Sequence, residues 1–373
     1  MTNRYLYFQP QYVGEFVCDG ATCPNNCCRR NWNISVDAET YARYANLKPE
    51  LTNLFARDDA TGKFYLRQHP CPLLTDGGLC SLQLEYGEEF LSLTCRTYPR
   101  QTFSFGNFFE RSLSLTCPLA AEMILFTDAP LSFEIVEVSE KVHGGKTILV
   151  DEMHVPESLF AHVVEIQIAM ISILQERTLS IDQRLIVLGF FLDRLDEIIS
   201  GELDRDALTK LIAVYESKKF LSEQVPRMLT AVNFNAKDFS RRMTQVLDNL
   251  RGEEFSSARE LLDLTDERKL FTARHSNLME NFLVNELFAN CVPWRNKAGI
   301  AQNFGLFVAA YKVFDLLTFA AYKRNLFDRG ELLNLVELLT SQTDQTSSTR
   351  RNLLKLFAGD DMFSLLETFL EAS

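Results

Sequence analysis

The sequence lacks the long apolar segments of secreted and membrane proteins. Its first ten residues, Met1 to Pro10, contain no apolar run typical of a secretory signal. The best candidate for a membrane span, Leu185 to Leu192, falls far short of the roughly 18 residues that a span needs. These absences predict a protein without a transmembrane segment that works in the cytoplasm, which is a reducing compartment.

An excess of basic residues is also missing, since the formal net charge is -12. The first 118 residues hold 11 Lys and Arg against 12 Asp and Glu, so most of the negative charge falls in the remainder. Proteins that bind nucleic acids need clustered Lys and Arg to displace counterions from phosphates. We therefore expect no nucleic-acid partner and a solvated, acidic surface on the second part of the chain.

Cysteine, in contrast, is concentrated in the first third of the chain. Eight of the nine cysteines lie there, at Cys18, Cys23, Cys27, Cys28, Cys71, Cys80, Cys95 and Cys117. In a reducing compartment such clustering favours metal ligation over disulfides, and soft sulfur ligands favour zinc or an iron–sulfur cluster. A disulfide framework and simple structural thiols remain alternatives, and the eight residues could form one metal site or two. The ninth, Cys291, is predicted to be a buried structural thiol.

The spacing of these cysteines excludes two standard metal motifs. A zinc ribbon needs two Cys-x2-Cys pairs, and no such pair occurs. Cys23 and Cys27 match the first step of the Cys-x3-Cys-x2-Cys motif of radical S-adenosylmethionine enzymes, but Arg30 occupies the third position. The Gly-x-Gly-x-x-Gly motif of Rossmann-type cofactor sites is absent as well.

Hydrophobic periodicity changes near residue 150. Runs with a helical period follow one another from Ser158–Glu176 to Asp360–Leu370, whereas the first part shows short strands, turns and few helices. Among those few, one helix is predicted to start at the N-cap Asp37 and another to extend from Leu82 to Leu93. The predicted fold is mainly α, with a cysteine-rich metal-binding head (residues 1–150) that contains short strands and is packed on an all-α helical body (residues 151–373).

Turn residues place two of the cysteines close together. Asp76-Gly77-Gly78 predicts a turn that puts Cys71 and Cys80 on the two arms of a hairpin-like loop. A second hairpin turn is predicted at Gly106-Asn107. The first turn would bring two thiols within reach of one metal.

The order of the cysteine motifs resembles a known superfamily of zinc- or iron-chelating domains. The resemblance rests on Cys18-x4-Cys23-x3-Cys27-Cys28, on Cys71-Pro-Leu-Leu with Leu79-Cys80-Ser-Leu-Gln, and on Cys95-Arg-Thr-Tyr-Pro-Arg100. Within it the chain is most similar to the flagellin lysine-N-methylases, because it shares the Cys27-Cys28-Arg-Arg-Asn-Trp32 block, Gly87-Glu-Glu-Phe-Leu and the later segment His275 to Asn285. The similarity therefore spans both parts of the chain.

This resemblance implies a lysine N-methyltransferase that acts on flagellin with S-adenosylmethionine as the methyl donor. It implies a cysteine-ligated iron–sulfur cluster, of the 4Fe-4S type, in the head, with zinc as the alternative. It also makes His275 and Asn281 candidate cofactor-binding residues, whereas the residues by themselves favour a polar patch in the helical core. Because no Rossmann motif is present, the donor would bind in an unusual way, and an open iron of the cluster is one option.

Two functions from other classes remain open at the level of sequence. The cysteine-rich head could be a metal-stabilised interaction module without catalytic activity. It could also be an iron–sulfur electron carrier. Methyl incorporation into flagellin distinguishes the enzyme from both.

Overall fold

The structure, a computed structural model, describes residues 4–23, 25–30, 32, 34–59, 62–105, 108–138, 146–149, 157–200, 203–295, 298–345 and 347–371. The chain forms two compact units. Unit 1 comprises residues 1–121 and 134–148, and unit 2 comprises residues 122–133 and 149–373. The segment 122–133, which precedes the predicted division at residue 150, thus belongs to the second unit.

The strands of unit 1 form two sheets. The strands are β1 (Tyr5–Pro10), β2 (Ser35–Val36), β3 (Phe55–Arg57), β4 (Phe64–Leu66), β5 (Arg100–Phe105), β6 (Phe108–Leu113), β7 (Phe133–Val138) and β8 (Lys146–Leu149). A five-stranded sheet has the order β7-β1-β6-β5-β8, and a three-stranded sheet has the order β2-β4-β3. β1 is parallel to β6 with Leu6 opposite Phe108, whereas β5 and β6 are antiparallel. The predicted turn at Gly106-Asn107 lies outside the described residues.

Short helices connect these strands. They are α1 (Tyr12–Glu15), α2 (Ala38–Leu47), α3 (Ser81–Tyr86), α4 (Leu93–Thr97) and α5 (Pro118–Leu125), with 3-10 turns at Cys27–Arg29, Pro49–Leu54 and Glu88–Phe90. α2 begins where the sequence predicts, because the Asp37 carboxylate accepts a hydrogen bond from the Thr40 amide at 2.8 Å. The single helix predicted from Leu82 to Leu93 is wrong, since Gly87 ends α3 with φ = 95°.

Unit 2 is mainly helical in the residues that the structure describes. Its helices after α5 are α6 (Val163–Leu174), α7 (Ile181–Ile199), α8 (Arg205–Glu216), α9 (Lys218–Ala231), α10 (Ala236–Leu247), α11 (Glu253–Arg259), α12 (Thr265–Arg274), α13 (Ser276–Ala289), α14 (Ile300–Lys323), α15 (Arg329–Thr340), α16 (Ser347–Leu356) and α17 (Met362–Phe369). A 3-10 turn, Glu157–His162, precedes α6, and a π-helical turn, Ser341–Gln345, follows α15. The prediction of a mainly α fold with a few short strands in its first part is confirmed.

Helix α14 forms the centre of unit 2. Within the described residues it is the one helix that is long and apolar enough to cross a membrane, and its apolar stretch is entirely buried in the unit. This stretch does not form an uninterrupted apolar run in the sequence, because Lys312 and Asp315 lie within it. Both charges are buried and paired: Lys312 Nζ lies 2.7 Å from an Asp182 carboxylate oxygen, and Asp315 pairs with Arg268 at 3.4 Å.

Candidate functional site

The loop that carries Cys27 and Cys28 is fixed by one buried amide. Asn26 caps the 3-10 turn Cys27–Arg29, and its side-chain oxygen accepts a hydrogen bond from the Cys28 amide at 2.9 Å. The same side chain donates to the carbonyls of Gly20 and Gly78, at 2.9 Å and 2.7 Å. Asn26 therefore joins the first group of cysteines to the loop between Cys71 and Cys80.

The loop between Cys71 and Cys80 has the predicted hairpin form. Leu74 pairs with Cys80 in an antiparallel bridge, and Gly78 takes a positive φ of 79° in the turn. The Cys71 amide donates to the Cys28 carbonyl at 2.8 Å. These backbone contacts place Cys28 beside the hairpin, so three cysteines from two segments of the chain lie in one region.

The thiols of this region act on one another electrostatically. A hydrogen bond with the Cys28 thiol, helped by the charge of Arg30 and opposed by burial, lowers the pKa of Cys27 to about 7. The same hydrogen bond raises the pKa of Cys28, as do burial and the charges of Cys27, Cys71 and Cys95. Cys27 is therefore the thiol of this pair that ionises first.

Cys95 completes this group of thiols. It lies on α4, whose first turn is capped by the Ser92 hydroxyl, an acceptor for the Cys95 amide at 3.2 Å. Although the residue as a whole is exposed, desolvation of its thiol and the charges of Cys27, Cys71 and Cys80 raise the pKa of Cys95 to about 12. We call Cys27, Cys28, Cys71, Cys80 and Cys95 the thiol cluster.

The other three cysteines of unit 1 form a neighbouring group. Burial raises the pKa of the Cys117 thiol to about 11, and the charges of Cys23 and Cys18 act in the same direction. Cys18 is also within electrostatic range of Cys27. Arg30 contacts both groups. Its charge acts on Cys27, and its Nη1 donates at 2.8 Å to the carbonyl of Thr116, the residue before Cys117.

The donor chemistry of this region fits a metal centre. All nine cysteines are free thiols. In the arrangement of the described residues, no three His, Cys, Asp or Glu side chains converge closely enough to hold a metal ion. Cysteine thiolates are nevertheless the ligands that zinc and iron–sulfur clusters take, and the guanidinium of Arg30 favours the thiolate form of Cys27. Metal ligation by Cys18, Cys23, Cys117 and the thiol cluster stays a prediction.

We expect Asn26→Ala to loosen the thiol cluster. The substitution leaves the Gly20 and Gly78 carbonyls without their amide donor, at a cost of about 1–3 kcal/mol for buried groups. Cys28 and Cys80 should then react faster with iodoacetamide, as measured by mass spectrometry of quenched samples. Asn53→Ala, at an exposed position, is the matched control. Equal alkylation rates in the two variants would contradict the role given to Asn26.

The two candidate cofactor-binding residues of unit 2 contact different partners. Asn281 is fully buried, and its side chain donates to the carbonyl of Thr127 at 2.8 Å. His275 lies between α12 and α13, with its ring 4.7 Å from that of Phe271 and 4.6 Å from that of Phe327. Burial and the charge of Arg274 lower the pKa of His275, so its ring is neutral at pH 7. Asn281 thus holds segment 122–133, and donor binding by either residue stays a prediction.

Helix α13 holds polar residues that the sequence analysis did not single out as a group. Glu280, Asn281, Asn285 and Glu286 are all buried, in a helix whose residues from Leu278 onward are buried on every face. The sequence signal for this group was four polar residues within an apolar helical run, because polar side chains buried there need hydrogen-bonding partners. The partners of Glu280 and Asn281 lie 96 and 154 positions away, so they could not be inferred from the sequence.

Comparison with known proteins identifies the family. The protein-family model named FliB lysine N-methylase C-terminal domain matches residues 167–370, which are more than half of the chain. The chain belongs to the FliB lysine N-methylase family. The sequence-based resemblance to lysine N-methylases is thereby confirmed, and with it the class of a lysine N-methyltransferase. The matched segment lies in unit 2 and contains His275 and Asn281, but none of the eight cysteines of unit 1.

Curated relatives extend the match to almost the whole chain. The chain is 23% identical to the Lysine-N-methylase of Salmonella typhimurium (strain LT2) over 404 residues, which cover 95% of this chain and 96% of that protein. The Lysine-N-methylase of Salmonella choleraesuis has the same identity and coverage. The Flagellar biosynthetic protein FliU of Salmonella muenchen is 31% identical over 128 residues, which cover 31% of this chain and 75% of that protein. No solved structure matches the chain.

Proposed function

We propose that this chain is a cytoplasmic enzyme that transfers methyl groups from S-adenosylmethionine to lysine side chains of flagellin. The observation that carries the proposal is the alignment over 95% of the chain with proteins named Lysine-N-methylase, because it includes both units. The FliU relative, whose name places it in flagellar biosynthesis, supports a flagellar substrate.

The reaction makes three demands on the protein. A lysine ammonium must first lose its proton, which a desolvated site with a nearby acceptor promotes. The nitrogen lone pair then forms a bond to the donor methyl carbon while the bond from that carbon to sulfur breaks, and the sulfur leaves as the neutral thioether of S-adenosylhomocysteine. The donor must also be held with its methyl group in line with the attacking nitrogen.

Unit 1 would contribute an iron–sulfur cluster of the 4Fe-4S type, with zinc as the alternative. Such a centre, when bound, supplies a Lewis-acidic or redox-active metal and orders the segments that ligate it. The chain itself provides the thiol cluster, the Asn26 amide that joins its loops and the positive charge of Arg30. These features support a cysteine-ligated metal.

Methyl transfer is tested directly with purified components. We expect the anaerobically purified chain, incubated with flagellin and S-adenosylmethionine, to yield flagellin peptides with methylated lysines in mass spectra. Reactions with S-adenosylhomocysteine in place of the donor, or with an unrelated lysine-rich protein in place of flagellin, are the controls. Metal-replete protein that leaves every flagellin lysine unmodified would refute the proposal. A reversible redox signal without methylation would favour an electron carrier.

A further inference from the structure

Helix α17 turns one face away from the core of unit 2. Phe363 is 40% exposed, Ser364 is exposed beside it, and Glu367, one turn further on, is half-buried. Residues four positions apart lie on the same side of a helix, so Phe363 and Glu367 share this face. In the part of the chain that the structure describes, the Glu367 carboxylate has no hydrogen bond and no ion pair. The face thus offers a free carboxylate next to an exposed aromatic ring.

A polar cleft separates this face from the start of α10. The cleft has a volume of about 460 Å³. Because a water molecule needs only about 10–15 Å³ of such space, the cleft has room for a long side chain. The backbone amide of Asn235 donates to the Glu367 carbonyl at 3.2 Å and so joins the two walls. The walls consist of Ser364, Glu367 and Thr368 on α17 and of Asn233, Phe234, Asn235, Ala236 and Asp238 at the start of α10.

The polar groups of the cleft favour a cation. Asp238 is already paired with Arg241 at 2.7 Å, so the carboxylate available to a ligand is that of Glu367. The start of α10 would attract an anion, but the Asn235 side-chain oxygen already accepts hydrogen bonds from two of its amides, at 3.1 Å and 3.3 Å. An ammonium group carries a positive charge and three donors, which the carboxylate, hydroxyl and amide oxygens of the cleft can accept.

The surface on the other side of α17 adds aromatic area and negative charge. The rings of Phe190, on α7, and Phe363 meet edge to face with their centres 5.2 Å apart. Asp193 follows Phe190 by one turn and lies within electrostatic range of Asp361, at the start of α17. Burial and the charges of neighbouring carboxylates raise the pKa of Asp193, although the charge of Arg194 opposes the shift. Carboxylates that repel one another in this way would be stabilised by a basic partner.

A lysine-bearing protein segment matches both features of this surface. The long apolar stem of lysine lets its ammonium reach into a cleft while its backbone stays on the surface. An apolar residue near that lysine would find the exposed rings of Phe190 and Phe363. Nucleic acids and anionic membranes would be repelled by the same carboxylates. A lysine N-methyltransferase necessarily binds a protein that presents lysine.

We infer that the exposed face of α17 and the cleft beside it recognise a lysine-bearing segment of the protein substrate, with Glu367 facing a lysine ammonium and Phe363 packing against a neighbouring apolar side chain. The inference rests on the proposed function, which makes this substrate flagellin. It assigns substrate recognition to unit 2, in residues that include neither the thiol cluster nor His275 and Asn281.

The test measures flagellin binding and steady-state methyl transfer with the full-length, metal-replete chain. Glu367→Gln keeps the shape of the side chain but removes its charge, so it should weaken flagellin binding and raise KM by about 3- to 10-fold with little change in kcat. Phe363→Ser should have an effect of similar size, because apolar contact area is lost. Glu253→Gln, at an exposed position on α11 outside the cleft, should behave like the wild type. Helical circular dichroism should be unchanged in all three variants.

Flagellin with chemically acetylated lysines is the second probe. Acetylation removes the lysine charge, so the wild type should bind it more weakly than unmodified flagellin, and Glu367→Gln should discriminate less between the two. Equal wild-type affinity for both forms would overturn the inference. Phosphate that displaces flagellin more strongly than chloride at the same ionic strength would mark an anion site and overturn it as well.

The two readouts distinguish this inference from the proposed function. Unchanged flagellin affinity and KM in Glu367→Gln and Phe363→Ser, with methyl transfer by the wild type intact, would overturn the docking surface while the proposed function stands. Flagellin binding that both substitutions weaken, in a chain that methylates no flagellin lysine, would support the surface and refute the proposed function.

Discussion

Glu280→Ala is expected to lower the free energy of unfolding of unit 2 by about 3–5 kcal/mol, because it leaves a buried guanidinium without its counter-charge. Glu280 is 1% exposed and accepts hydrogen bonds from Arg184 and Arg177, each at 2.8 Å. Arg184 is itself 3% exposed, so water cannot replace the lost carboxylate. The loss is measured as a lower urea midpoint of the helical circular dichroism signal.

A matched control and a second variant separate charge from packing. Glu197→Ala removes an exposed carboxylate that pairs with Arg194 on α7, and should cost less than about 1 kcal/mol. Glu280→Gln keeps most of the volume and part of the hydrogen bonding, so its cost should fall between the two. If Glu280→Ala lowers the free energy of unfolding no more than Glu197→Ala does, the buried ion pair contributes little to stability.

If unit 1 holds the proposed metal, Cys28→Ala is expected to remove it and abolish methyl transfer while most of the helical circular dichroism remains. The thiol of Cys28 donates its hydrogen bond to Cys27 and lies within electrostatic range of Cys71 and Cys95, so its removal disrupts the centre of the thiol cluster. Metal and sulfide content after anaerobic purification should fall by more than about tenfold. The helices of unit 2 bury their own apolar faces, so they should persist without the metal.

Cys291→Ala is the control for this substitution. Cys291 is fully buried in unit 2, after the end of α13, and should not affect metal content. Equal loss of metal from the two variants would contradict the assignment of the metal to unit 1. Full methyl transfer by metal-free Cys28→Ala would show that the metal takes no part in the reaction.

Local features of the fold were predictable from the sequence, whereas distant pairings were not. The Asp37 cap and the hairpin around Gly78 depend on residues three to nine positions apart, and both occur as predicted. The parallel pairing of β1 with β6 joins residues about a hundred positions apart, and no local pattern encodes it. The break at Gly87 was missed because an apolar helical period continues on both sides of it.

The same distinction holds for the candidate sites. The proximity of Cys71 and Cys80 follows from the turn residues between them, which the sequence displays. The partners of the buried Glu280 carboxylate do not, because Arg184 precedes Glu280 by 96 positions and Arg177 precedes it by 103. A periodicity analysis identifies a buried polar residue but cannot identify the distant group that compensates for it.

The path of the chain between the units limits how the protein can be divided. Segment 122–133 belongs to unit 2, yet residues 134–148, which follow it, belong to unit 1. The shortest continuous fragment that contains all of unit 2 therefore starts at residue 122 and includes β7 and β8.

Strands β7 and β8 are the two outermost strands of the five-stranded sheet, and this fragment lacks β1 and β5, their neighbours in the sheet. Strands without neighbours expose unpaired amides and carbonyls that recruit other chains. Such a fragment would self-associate, and so neither unit is a module that could be exchanged between proteins by a single cut.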